Sequence, residues 1–284
     1  MKTFLAIGIT LALASTSMAA MKEVNGHWVH EYPAKSQAPT HGAKPVYGIT
    51  YHGGAVLRNA HVVPIFWGTY FSAGAGQTYA QAMVGFFGVF GTAGEYNTIT
   101  QYYDTIGGGT HPIALTNLLG GPAPYYDTTN PPTNVTDAIV QSEVNKVIGI
   151  RGFDDQAIYE VFIPPTSYST DGSRGSCGSP SLYYCAYHGS YTSGANTVKY
   201  SIEPYPSCSG CSVSGWTAAQ NAEHFACHET REAVTDPVNA WWDGHSGYEA
   251  DDKCAWSPSP FIGTGGYGYQ YEWSNANNGC VKTR

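Results

Sequence analysis

The sequence predicts one α+β domain: a mixed β-sheet packed on a few helices, joined by long loops rich in Gly, Pro and Tyr. Three observations carry this. Runs of strand character at residues 62–68, 157–163, 182–187 and 197–202 lie before and around isolated helical segments. The 284 residues are ample for a sizeable core, and no internal repeat or linker divides them. The composition is 42% apolar and 14% aromatic with only 12% charged residues, which suits a packed chain and disfavours disorder.

Taken in order, residues 1–19 read as a signal peptide. Lys2 gives a positive start, residues 4–14 are apolar, and Ser17 and Ala19 are small at the positions a signal peptidase inspects. Residues 20–48 are polar and aperiodic and read as an extended arm, leaving 49–284 as the single domain. Tyr51-His52-Gly53-Gly54 leads into the buried strand 62–68, which stops at Gly68. Residues 78–90 have helical length, with Ala80, Met83, Phe86 and Phe87 on one side, although Gly85 and Gly88 weaken a regular helix. Residues 98–104 suit a short strand, and the next thirty or so are Gly- and Pro-rich loop. A helix begins at Thr136-Asp137 and runs to Val147, with Ile139, Val140, Val144 and Val147 apolar. Residues 157–163 form a strand stopped by Pro164-Pro165. Residues 217–234 are the most helical of all, and the loop-rich tail after Asp236 is pinned by Cys254 and Cys280.

Charge and cysteines bound the function. The net charge of -8 disfavours nucleic acid, and apart from the N-terminus no apolar run is long enough to span a membrane. The seven cysteines all lie after residue 176, and in an exported chain they read as disulfides with one thiol over. Cys208–Cys211 reads as a tight local bridge; six cysteines permit fifteen pairings, of which Cys177–Cys185 and Cys254–Cys280 complete the expected set, with Cys227 free on an apolar helix side. Asn134-Val135-Thr136 is a glycosylation sequon. No cysteine has a nucleophile context and no G-x-S-x-G is present, so cysteine- and serine-based hydrolysis are unsupported.

Chemistry concentrates in residues 223–237. His224, His228 and Glu232 are spaced by four, so a helix stacks them on one face, with Asp236 extending the column and Glu229 at its edge. The opposite face carries Ala219, Ala222, Ala226, Ala233 and Val234, small enough to pack closely on a sheet. His228-Glu229-x-x-Glu232 resembles the H-E-x-x-H signature of zincins, with Glu replacing the second His. Donors at i and i+4 converge on one Zn²⁺, and the Glu after the first donor is placed to take a proton from water. Glu232 is a competent ligand, though its charge weakens the metal as a Lewis acid. The bland alternative is an amphipathic helix showing water its polar face. Against it, an otherwise charge-poor chain gathers His and carboxylates here, Pro237 stops the helix sharply, and the next loop offers His245, Glu249, Asp251 and Asp252. His224 reads first as a cleft-wall or hydrogen-bonding residue and second as a further ligand. His52 reads as a turn residue capping local backbone.

The run Ala233-Val234-Thr235-Asp236-Pro237-Val238-Asn239-Ala240-Trp241-Trp242-Asp243, then Glu249-Ala250-Asp251-Asp252-Lys253-Cys254, resembles the EXORDIUM-like (phosphate-induced protein) family. Tyr51-His52-Gly53-Gly54-Ala55-Val56-Leu57 and Ile65-Phe66-Trp67-Gly68 add to the resemblance, which spans residues 50–256. Ala250, Asp251 and Lys253 depart from it, where the family prefers apolar, small and apolar residues. The resemblance implies a secreted protein, with plant members associated with the cell wall and H-E-x-x-E members similar to zinc metallopeptidases. Carried over, His228, Glu232 and either Glu249 or Asp252 match the metal positions and Glu229 the general base. His224 and Asp236 are secondary candidates. The expectation is a single zincin-like domain binding Zn²⁺ and hydrolysing a protein or peptide substrate. The competing expectation is a non-catalytic extracellular protein that binds a cell-wall component through its 22 Tyr and 7 Trp.

Overall fold

The computed structural model describes residues 21–38 and 47–284, so the expected signal peptide lies outside the described residues. The strand segments gather into one seven-stranded mixed sheet. Its strands, in chain order, are β1 (Met21–Val24), β2 (His27–Pro33), β3 (His61–Trp67), β4 (Tyr125–Asp127), β5 (Ala157–Ile163), β6 (Tyr184–Ser193) and β7 (Asn196–Pro204). In space they run β1-β2-β6-β7-β5-β3-β4. The β1-β2-β6-β7 half is antiparallel, and β7, β5, β3 and β4 are parallel neighbours. A strand flanked by parallel partners is covered on both faces, and all seven residues of β5 are buried.

Helices close both faces. α1 (Gly74–Phe90) and α3 (Ala218–Thr235) cover one, and α2 (Asp137–Arg151) the other. On the first face Phe66, Ile158 and Phe162 meet Met83, Phe86 and Phe87 of α1 and Ala222 and Ala226 of α3. On the second, Val63, Tyr159 and Val161 meet Val140, Val144 and Val147. The period-two alternation of the strands thus divides one apolar content between two cores. α3 starts from a capping box, Thr217 accepting from the Gln220 N–H and the Gln220 side chain accepting from the Thr217 N–H. It ends at Asp236, before Pro237.

Several expectations change. Residues 20–48 read as an extended arm preceding the domain, yet β1 and β2 within it join the domain's sheet, with β2 paired to β6. Residues 98–104 are not a strand: Thr98–Gln101 is a 3₁₀ turn and only Tyr103–Asp104 pairs, with His111–Pro112. α1 keeps its helix through Gly85, where the Oη of Tyr267 lies 2.7 Å from the position a Cβ would take. Cys254–Cys280 is bridged and Cys227 is free and buried, as expected. The local pairs Cys177–Cys185 and Cys208–Cys211 do not form; the bridges are Cys177–Cys208 and Cys185–Cys211. The turn at 208–211 lies across the start of β6, with Gly210 accepting from Lys35 N, so each of its cysteines meets one from the 177–185 segment at Cα separations of 5.5 and 5.4 Å. Asn134 of the sequon is exposed. No helix among the described residues is long and apolar enough to cross a membrane.

Candidate metal centre

α3 is buried along almost its whole length, so its polar residues face other protein rather than water. Ala222, Ala226 and Ala233 lie against the sheet side, as their size suggests, and Glu229 shares that side. Its carboxylate reaches His188 of β6, with Oε2 2.9 Å from Nδ1. His188 stands directly opposite His30 of β2 in the antiparallel register, and the two imidazoles stack with centroids 5.0 Å apart. Both therefore point from the sheet toward α3.

The loop after α3 closes the site from the far side. Glu249 Oε2 lies 3.1 Å from His30 Nδ1 and 3.3 Å from His188 Nε2. His228 Nε2 lies 2.9 Å from Glu232 Oε2 and 3.8 Å from Asp252 Oδ1. The loop is itself pinned by the helix, because the Asp252 N–H donates to Glu232 Oε1 at 2.8 Å and the Glu249 N–H to Asp252 Oδ2 at 3.1 Å. Asp236, at the helix end, accepts from the Ala240 N–H and lies beside Glu249.

Within 4.8 Å of one another, the donor atoms sort into three sets: His30, His188 and Glu249; His188, Glu229 and Glu232; and His228, Glu232 and Asp252. Many of these atoms are close to one another yet lack hydrogen-bond geometry. His30 Nδ1, His188 Nε2, both His228 nitrogens, Glu232 Oε2 and both Glu249 oxygens are buried without a hydrogen bond. Leaving one such group unsatisfied costs about 1–3 kcal/mol, so a cluster of them needs a partner. Two ligands about 2.1 Å from a tetrahedral ion stand roughly 3.4 Å apart, the spacing seen across this cluster.

Burial drives these groups toward their neutral forms. It lowers the affinity of His30, His188 and His228 for a proton, in His188 with help from the neighbouring imidazoles. Burial and mutual repulsion push Glu229, Glu232 and Glu249 well above the carboxylate range, and Asp252 and Asp236 up to about 7 and about 8. Neutral imidazoles and crowded carboxylates suit a divalent cation, which favours the charged carboxylates. The N and O donors fit Zn²⁺.

One edge of the cluster is open. A cleft of about 390 Å³ is lined by His30, His188 and Asp236 at its floor and by Trp28, Val238 and Trp242 on its walls. The Tyr-His-Gly-Gly motif holds one wall in place: the His52 N–H donates to Ala240 O and the Gly54 N–H to Asn239 O, while Thr50–Tyr51 pairs with Trp241–Trp242. A Cβ at Gly54 would lie 2.2 Å from Val238 O, so only glycine allows this approach. Two motifs far apart in sequence are one structural unit.

The structure brings together His228, Glu229, Glu232, Asp236, Glu249 and Asp252. It does not bring His224, which is fully buried among Tyr32, Trp216, Phe225 and Trp256. His245 is exposed and stacks on Tyr47; His52 stacks on Trp242. Asp251 pairs with Arg231 behind the helix. Sequence reasoning missed His30 and His188. His30 lay in the supposed arm, and His188 one residue beyond the expected strand end; the strand-like runs 27–33 and 184–189, each with an inward His, were the available signal. Compared with protein-family models, curated proteins and solved structures, the chain matches none.

Proposed function

We propose that the protein is an exported, zinc-dependent hydrolase acting on protein or peptide substrates, akin to the H-E-x-x-E members of the EXORDIUM-like family. The observation that carries this reading is the cluster of buried imidazole and carboxylate atoms without hydrogen bonds, of which His30 and His188 line a cleft. His228 and Glu232 of α3, with Asp252, would hold Zn²⁺, since their three donor atoms lie within 4.8 Å of one another. Bound there, Zn²⁺ would supply Lewis acidity toward a substrate carbonyl and toward water.

The chain's own residues do the rest. Trp28 and Val238, each 50% exposed, offer apolar walls on which a substrate side chain can settle. Asp236 is the one carboxylate of the cluster that lines the cleft, and its raised proton affinity suits it to exchange a proton with a bound substrate near neutral pH. Glu229 lies behind His188 and does not line the cleft, so it acts by fixing the orientation of that imidazole. The disulfides fit export. The test is peptide hydrolysis by the purified chain before and after chelation, and after Zn²⁺ is restored. Hydrolysis that chelation abolishes and Zn²⁺ restores supports the proposal; a metal-free chain with no turnover leaves the binding-protein reading.

A further inference from the structure

We propose that the cluster holds two divalent cations: an inner one against His228, Glu232 and Asp252, and an outer one against His30, His188 and Glu249, open to the cleft. The proposal rests on the metal-dependent reading for the inner ion and adds the outer one.

Geometry separates the two sets. The six donors do not lie within 4.8 Å of one another as a single group, but each triad does. Ligands about 2.1 Å from one ion are at most about 4.2 Å apart, so one ion cannot serve both triads at once. Glu232 is the link, because its Oε2 approaches His228 Nε2 at 2.9 Å and His188 Nδ1 at 3.9 Å.

The outer triad has its own requirement for a cation. His188 Nδ1 lies 2.9 Å from Glu229 Oε2, and with Nδ1 donating to an ionised Glu229 the neutral imidazole keeps a lone pair on Nε2. That lone pair faces a Glu249 oxygen at 3.3 Å, and the same oxygen lies 3.1 Å from His30 Nδ1. None of these three atoms has a hydrogen bond, and His188 and Glu249 are buried. One cation between the three atoms would satisfy all of them at once. A carboxylate holding the far nitrogen of a histidine is also the usual support for an imidazole ligand.

Charge favours two ions over one. Five carboxylates (Glu229, Glu232, Asp236, Glu249, Asp252) are buried together, while the nearby cations are engaged elsewhere, Arg231 with Asp251 and Lys253 with Asp243. One divalent ion offsets two of these charges and two ions offset four. His30 and His188 line the cleft, whereas His228, Glu232 and Asp252 do not, so the outer ion is the more exposed of the two to a substrate. Paired ions of this kind would together activate water and polarise a substrate carbonyl.

The test is zinc stoichiometry by elemental analysis of the purified full-length secreted chain, saturated with Zn²⁺ and desalted. Two zinc per chain in wild type and one in His30→Ala are expected. His30→Gln, which keeps bulk and polarity, serves as a second variant, with near-ultraviolet dichroism confirming the fold. One zinc in wild type overturns the outer ion and leaves the proposed function standing. Two zinc in a folded His30→Ala overturns the assigned triad. No zinc in wild type overturns both readings.

Discussion

Replacing Glu229 by Gln and by Ala separates the two parts this residue can play. As a general base it would touch the reacting water, and its loss would cost roughly 10²–10⁴ in rate, about 2.7–5.5 kcal/mol. The structure instead sets its Oε2 2.9 Å from His188 Nδ1, with the imidazole between it and the cleft. Glu229→Gln keeps an amide oxygen able to accept that N–H, so zinc affinity and hydrolysis should fall by no more than about tenfold, roughly 1.4 kcal/mol. Glu229→Ala removes the acceptor, and a lost support of this kind costs about 10–100-fold in metal affinity, roughly 1.4–2.7 kcal/mol. The assay is competition for Zn²⁺ with a chromophoric chelator, beside peptide hydrolysis on the same samples. Full zinc affinity in both variants with hydrolysis down by roughly 10²–10⁴ would refute the positioning role and restore Glu229 as the base.

Three further outcomes are expected. Peptide mapping should recover Cys177–Cys208 and Cys185–Cys211, and Cys185→Ala with Cys211→Ala should lower unfolding free energy by about 3.5 kcal/mol, the chain-entropy value for closing a loop of this length, measured by denaturant titration. Gly54→Ala should cost about 1–3 kcal/mol and loosen the cleft wall, because its Cβ meets backbone that cannot yield; an unchanged denaturation midpoint argues against this packing. Burial and the adjacent Asp127 push Glu143 up to about 7, with Lys146 offsetting only part of this. The folded chain then binds more protons than the unfolded one between its ordinary value near 4.5 and about 7, so stability falls as pH rises through that window. Glu143→Gln should flatten the fall, and stability curves of equal slope for variant and wild type would contradict the assignment.

The helix of residues 218–235 was legible because its signals are local. Thr217 caps it, Pro237 stops it, and spacing by four puts His228 and Glu232 on one side whatever else the chain does. The central strands were legible for a similar reason, since continuous apolar runs such as 157–163 are buried on both faces. The three-layer arrangement was not, because nothing local says which face of a strand meets which helix. The positions of Glu249 and Asp252 were not legible either: the Asp252 N–H bond to Glu232 and the Glu249 N–H bond to Asp252 set Asp252 beside His228 and Glu249 beside His30 and His188. His224 shows the limit of spacing: it shares the column of His228, but Tyr32 and Trp256 enclose it one turn away from the donors. The pairing of His30 with His188 depends on the register of two strands far apart in sequence, and the disulfide pairing on the turn 208–211 meeting the segment 177–185. Register is a collective result of which faces bury and which backbone groups pair, so the sequence by itself put His228 and Glu232 on one side of the helix, and only the tertiary structure decided which strand and loop residues lie beside them.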